Sequence, residues 1–225
     1  MIFRKELREV LALINRMLVA VQDGIPTRGT TGVELRRTVG NFLAHEIEFV
    51  ENFTLGTELF KCFEQARLAG ATLDTMDGVS EKLLLEQSVF DFAKTAKLVG
   101  MVFSFVEQCT LISAMTFVSR TDVETMITRM NLVIETLKLE VAELLNGIDY
   151  QALTSLSASL VHHLAVTERK LPQVVNVTMP VSKPALTIAN YFYADGARYE
   201  EVILENKIIN PAFFPRAIRV LSDIK

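Results

Sequence analysis

Positive charge is in short supply. Twenty-three lysines and arginines stand against 27 aspartates and glutamates, a net charge of −4, which excludes a global electrostatic pull toward nucleic acid and leaves direct DNA contact open. Cysteine is scarce too. Cys62 and Cys109 fall on different predicted helices in apolar surroundings, where buried reduced thiols are expected in preference to a disulfide. The chain lacks a Cys-x-x-Cys pair, a Gly-rich phosphate loop and any Ser/His/Asp set in recognisable context. His162 and His163 are adjacent, so on a helix they diverge by about 100° and cannot grip one metal; one exposed and one partly buried ring is expected. His45-Glu46 opens a zincin-like pattern, but Phe49 occupies the position of the second histidine. These absences predict no catalytic residues, no metal and no cofactor. Internal repeats and low-complexity tracts are missing as well. The opening segment from Phe3 to Gln22 is amphipathic and charged through its first half, unlike a cleavable signal peptide.

What the chain has in quantity is apolar side chain. Half of its 225 residues are hydrophobic, enough for one generous core or two modest ones, with a surplus suited to partner interfaces. The spacing predicts a run of helices to about residue 170. The first, Phe3–Val21, carries an apolar stripe of Leu7, Val10, Leu11, Ile14, Leu18 and Val21. After a loop reaching through Gly29–Gly32, a second helix is expected over Val33–Phe53, and a third over Thr57–Leu68, closed by Gly70. One long helix or two should cover Ser80 to Val118. Thr121-Asp122-Val123-Glu124 reads as a capping box opening a helix that Gly147 stops. Within it Met126, Met130, Val133, Leu137, Val141 and Leu144 alternate threes and fours like a coiled-coil seam. A last helix should run from Tyr150 to Arg169. Asp91 and Glu86 are expected to face solvent, as are the basic residues Arg4, Lys5, Arg8, Arg16, Arg28, Arg36 and Arg37.

The stretch from Leu98 to Val118 holds a single charge, Glu107, and is long enough to cross a bilayer. A carboxylate at its middle is expensive in lipid, and serines and threonines dilute it. A buried bundle helix, with no stable membrane insertion, is the expectation. Glu107 should then be paired with a basic group on another helix or be protonated.

The last segment is different in kind. Val174 to Met179 reads as a strand. Leu186, Ile188, Ala189, Phe192 and Tyr193 share one face of a short helix, and Asp195-Gly196 is a turn in which glycine supplies the positive φ. A second short helix is expected over Arg198–Glu205, with Asn206 closing it in the left-handed conformation. Pro211 and Pro215 forbid helix, and Ala217–Val220 alternates as a strand. The sum is a β-α-α-β unit with little core of its own.

The order Ile188-Ala189, Tyr193, Asp195, Asn206, Asn210-Pro211 and Val220 resembles the LysM-like modules appended to phage tail and baseplate proteins. More narrowly, Leu171–Val177 followed by Pro184–Pro215 is similar to the C-terminal end of the DNA circularization proteins of Mu-like phages. The family's pattern is met at Tyr193, Asp195, Arg198, Asn206, Ile208, Pro211, Phe213 and Pro215. Glu205 and Asn210 depart from it, standing where the family usually carries Arg and His. The motif covers about a fifth of the chain, and the family's N-terminal β-rich domain has no counterpart before the helix opening at Met1, as expected of a short relative, a split gene or a fragment.

The resemblance implies a mainly α protein, with a helical bundle over 1–170 and a small α+β module of LysM-like β-α-α-β type over 171–225. It implies a structural, non-enzymatic role in the virion tail near the baseplate hub, with the host cytoplasm as the place of assembly. Hub and tail-tube proteins would be its partners, and the protein would form a homo-oligomer, a trimer or hexamer. The module, hinged at Lys183-Pro184, would dock into a neighbouring subunit through Tyr193, Asp195, Arg198, Asn206, Asn210, Pro211, Phe213 and Phe214, with Asp195 and Arg198 forming a local ion pair. The alternative is a peptidoglycan-binding LysM-type module on a helical stalk, using a groove between Met179–Ala185 and Ile208–Arg216 in which Asn210, Phe213 and Phe214 meet a sugar.

Overall fold

A computed structural model describes residues 2–23, 25, 29–144 and 147–222. In chain order these form α1 (Ile2–Gln22), α2 (Thr30–Glu51), α3 (Leu55–Leu68), α4 (Leu73–Leu85), α5 (Asp91–Ser113), α6 (Arg120–Leu144), α7 (Gly147–Glu168), β1 (Val174–Thr178), α8 (Ala185–Tyr193), a 3₁₀ turn (Gly196–Arg198), α9 (Tyr199–Asn206) and β2 (Ala217–Leu221). The protein is mainly α with a small C-terminal α+β part, as its periodicity predicts. The chain divides into two compact units, Met1–Met115 with Asn131–Leu160, and Thr116–Met130 with Val161–Lys225. The boundary expected at residue 170 therefore falls inside the second unit, which also takes in the start of α6 and the end of α7.

In the first unit α5 is the central helix, packed by α1, α3 and α4. This is the segment apolar enough to resemble a membrane span, and it is apolar on most sides because helices cover most sides. Gly100 leaves room for the end of an α1 side chain: a Cβ there would lie 2.3 Å from the Met17 Cε and 2.6 Å from its sulfur. α1 buries a broader face than its stripe predicts. Leu13 and Met17 join Val10, Ile14, Leu18 and Val21 in the core, while Leu7 and Leu11 are half-buried.

Glu107 resolves as a buried ion pair. Its carboxylate, 2% exposed, accepts from the Arg67 Nε of α3 at 2.5 Å. Burial pushes the Glu107 carboxyl above its ordinary range, Arg67 pulls it down by hydrogen bond and charge, and Glu64 adds a smaller upward push. The neighbouring Gln108 donates to Asp77 of α4 at 2.8 Å. These two bonds tie α5 to both neighbours, although the buried Gln108 Oε1 accepts no hydrogen bond among the described residues. Cys62 on α3 is buried and Cys109 on α5 half-buried, both free, and burial pushes each thiol up to about 12.

Several helix starts differ from the sequence reading. α2 begins at Thr30, taking Thr31 and Gly32 out of the expected loop. The expected long segment is two helices, and α4 starts as early as Leu73 because Thr72 and Thr75 cap each other across the first turn. The cap of α6 lies two residues earlier than expected. Ser119 takes the Asp122 backbone N–H on its Oγ, and Asp122 accepts from the Ser119 N–H at 3.0 Å. Thr121 sits inside the helix, its carbonyl bonded to the Thr125 hydroxyl. The buried stripe of α6 is Val123, Met130, Ile134, Leu137 and Val141, so Ile134 replaces Val133 in the expected seam. Gly147 opens α7 rather than ending α6. Glu86 is not simply solvated, since it binds Arg16 of α1 through two contacts of 2.7 and 2.8 Å. Both His162 and His163 are exposed. Arg28 lies outside the described residues.

Within the second unit β1 and β2 pair antiparallel, Val174 opposite Leu221 through Thr178 opposite Ala217. The core of this module is larger than expected: Met179, Ala185, Ile188, Ala189, Val202, Phe214, Ile218 and Val220 are buried together, with Val177, Phe192, Tyr193, Ile203 and Ile208 packed against them. Leu186, expected on that face, is exposed, and Ala185 takes its place. The left-handed residues are Ala194 and Lys207, not Gly196 and Asn206. Asp195 instead caps the 3₁₀ turn by accepting from the Ala197 N–H at 2.8 Å. Lys183-Pro184 lies inside the module, with Pro184 at the N-cap of α8, and is therefore not a hinge outside it.

Candidate functional site

The two loops expected to form a groove are bonded to each other. Ala185 donates its N–H to the Pro211 carbonyl at 2.8 Å, and the Met179 N–H reaches the Arg216 carbonyl at 2.7 Å. The Ser182 hydroxyl donates to the Phe214 carbonyl at 2.6 Å. Met179–Ala185 and Ile208–Arg216 thus make one braced surface at the end of the strands. Asn210 shapes it, its Oδ1 accepting from the Ala212 N–H at 3.1 Å while its carbonyl takes the Phe213 N–H. Pro211 supplies the carbonyl that fixes α8 and is itself exposed.

The adjacent phenylalanines part company here. Phe214 is 2% exposed and belongs to the module core, whereas Phe213 is 74% exposed. Phe214 is therefore not displayed for docking or for a sugar. Ile209 on the same loop is fully exposed, and Val181 on the facing loop is largely so. Neither was singled out in the sequence. The signal available was an apolar pair, Ile208-Ile209, just before the Asn-Pro turn, of which the structure half-buries the first against the module core and displays the second.

Three of the remaining expected site residues hold the module together. The Asn206 amide behaves as a spare peptide group: its nitrogen donates to the Arg219 and Val202 carbonyls at 2.7 and 2.8 Å, and its oxygen accepts the Arg219 N–H at 2.7 Å. The Tyr193 hydroxyl accepts from the Leu221 N–H at 2.8 Å. Arg198 stacks over the Tyr193 ring at 4.0 Å and binds Glu201 at 2.8 Å; Asp195, its expected partner, is engaged in its cap. Glu205, which departs from the family pattern, pairs with Arg219 at 2.8 Å.

No family model matches this sequence, and no curated protein does.

A second concavity lies in the first unit and was not foreseen. A cleft of ≈ 630 Å³ opens between α1, the end of α2, the start of α3 and α5, with Leu7, Ile47, Val50, Phe92 and Val99 among its walls. Phe53 stands on its rim with φ 57° and 96% of its surface exposed. A bulky residue held in the left-handed region is a genuine outlier. Among the described residues no group of three or more His, Cys, Asp or Glu side chains is placed to hold a metal ion.

Proposed function

We propose that the chain is a structural component of a phage tail, at the baseplate end, that assembles through protein–protein contacts with hub and tube subunits. In this reading it works in the virion tail after assembly in the host cytoplasm, and its copies form a trimer or hexamer. The helical units supply mass and interface. The β-α-α-β module docks into a neighbouring subunit through the braced loops, with Phe213 and Ile209 as the inserted side chains. Tyr193, Asp195, Arg198, Asn206, Asn210, Pro211 and Phe214 shape the surface that presents them.

The observation that carries the reading is Phe213, an aromatic ring left 74% exposed on a loop braced by backbone bonds. Large rigid aromatics of this kind are the residues that anchor protein interfaces. The order of motif residues shared with the circularization proteins gives that interface its setting. The same exposed ring beside Asn210 supports a second reading, stacking on a glycan.

Light scattering on a sizing column in detergent-free buffer, run beside sedimentation with insoluble peptidoglycan, separates the two. A discrete trimer or hexamer that stays in the supernatant is expected. A monomer that pellets with peptidoglycan, and no longer does so as Phe213→Ala, would replace the assembly reading with the glycan one.

A further inference from the structure

We propose that the free edge of β1 pairs two copies of this chain, antiparallel about Asn176. The proposal stands apart from the tail reading, because it uses a different surface and a different kind of contact. Its basis is the phase of the β1–β2 ladder. The bonds from the Met179 N–H to Arg216 and from the Ser222 N–H to Gln173 make residues 173, 175, 177 and 179 the ones that bond across to β2. The backbone groups of Val174, Asn176 and Thr178 then point away from β2, as those of Ala217, Arg219 and Leu221 point away from β1.

The two outer edges are treated differently. On β2 the outward groups are taken: Asn206 satisfies both the N–H and the carbonyl of Arg219, and Tyr193 accepts the Leu221 N–H. On β1, no hydrogen bond to the outward groups of Val174, Asn176 and Thr178 is present among the described residues, and Asn176 and Thr178 are exposed. The strand Val-Val-Asn-Val-Thr carries neither the charge nor the internal proline that usually blunts an edge.

The ends of that edge select its partner. Pro172 and Pro180, each four residues from Asn176, occupy outward positions and have no N–H to offer. The Pro172 carbonyl is already held by the Arg120 N–H at 3.0 Å. A longer foreign strand would find no donors beyond Val174 and Thr178. A second β1 matches the edge end for end: Asn176 faces Asn176, and Val174 faces Thr178, each pair exchanging two backbone hydrogen bonds. The result is a four-stranded antiparallel sheet with both β2 strands outermost, where their edges are already covered.

A charge exchange tests this on the full chain. Asn176→Lys and Asn176→Asp each place like charges opposite each other in the paired state. Because Asn176 also lies opposite Arg219 on β2, where Lys repels and Asp attracts, only an effect common to both variants is read as loss of pairing. Sedimentation of wild type over a hundredfold concentration range is expected to show a mass that doubles with concentration. Each variant alone should lose that doubling, and an equimolar mixture of the two should regain it, which a misfolded variant could not do. A variant that doubles as wild type does, or a mixture that stays at the mass of the separate variants, would overturn the proposal.

Discussion

Arg67→Ala is the perturbation whose consequence is most sharply set by the structure. It removes the sole charge of opposite sign seen bonded to Glu107 among the described residues, and leaves that carboxylate 2% exposed at the centre of the first unit. Breaking a buried pair from one side costs about 3–5 kcal/mol, because the remaining charge is neither hydrated nor compensated. The Arg67 side chain is 24% exposed, so water can enter where the guanidinium stood, and the lower end, about 3 kcal/mol, is expected near neutral pH. The pH dependence has a definite sign. Burial raises the Glu107 pKa in the folded chain, so its contribution is fully present below the ordinary carboxylate range and is lost as pH rises through the raised value. Taking Arg67 away removes the influence that held this value down, so the variant loses more than wild type does over the same rise. Urea unfolding at about pH 5 and about pH 7 reads both effects. The deficit of Arg67→Ala should be clearly smaller at the lower pH, and adding Glu107→Gln should recover part of it at the higher. A deficit under about 1 kcal/mol, or one that does not change between the two, would refute the account of a charged, buried and paired Glu107.

The two phenylalanines make a matched pair. Phe214→Ala should cost about 3–5 kcal/mol in thermal or urea unfolding, while Phe213→Ala should stay within about 0.5 kcal/mol and, on the assembly reading, reduce oligomer size on a sizing column. Gly100→Ala forces a methyl against Met17 where 2.3 Å is available, and an overpacking loss of about 1–3 kcal/mol is expected; an unchanged melting temperature would mean that Met17 has room to turn. With both thiols pushed up to about 12, Cys62 and Cys109 should react with a disulfide reagent at pH near 8 only after urea is added. Prompt labelling of either in the native protein would show a thiol more open than its packing suggests.

Helix existence was legible in the sequence because an amphipathic stripe is a local property: α1, α3 and α6 can be read from apolar spacing alone. So was the helical burial of Leu98–Ile112, since the one carboxylate in its middle already argued for protein rather than lipid around it; Ala114–Val118, expected to continue that helix, lies beyond its end and is mostly exposed. Caps were less legible. Thr121-x-x-Glu124 and Ser119-x-x-Asp122 overlap within the same six residues, both satisfying the capping pattern, and the structure forms the second. At the candidate site the pattern of residue types located the right loops, but not which residues face outward. Phe213 and Phe214 are chemically identical, and only the closure of the loops through Ala185, Ser182 and Met179 puts one ring in the core and leaves the other in water. The same holds for Asn206 and Tyr193. Their side-chain chemistry suggests contact with something, and the tertiary structure supplies that something as the outward backbone of β2. Local sequence thus determined the elements and their turns, which depend on neighbours a few residues away. The long-range hydrogen bonds and contacts that join residue 67 to 107, 193 to 221 and 206 to 219 decided which polar groups brace the fold and which surface remains for a partner.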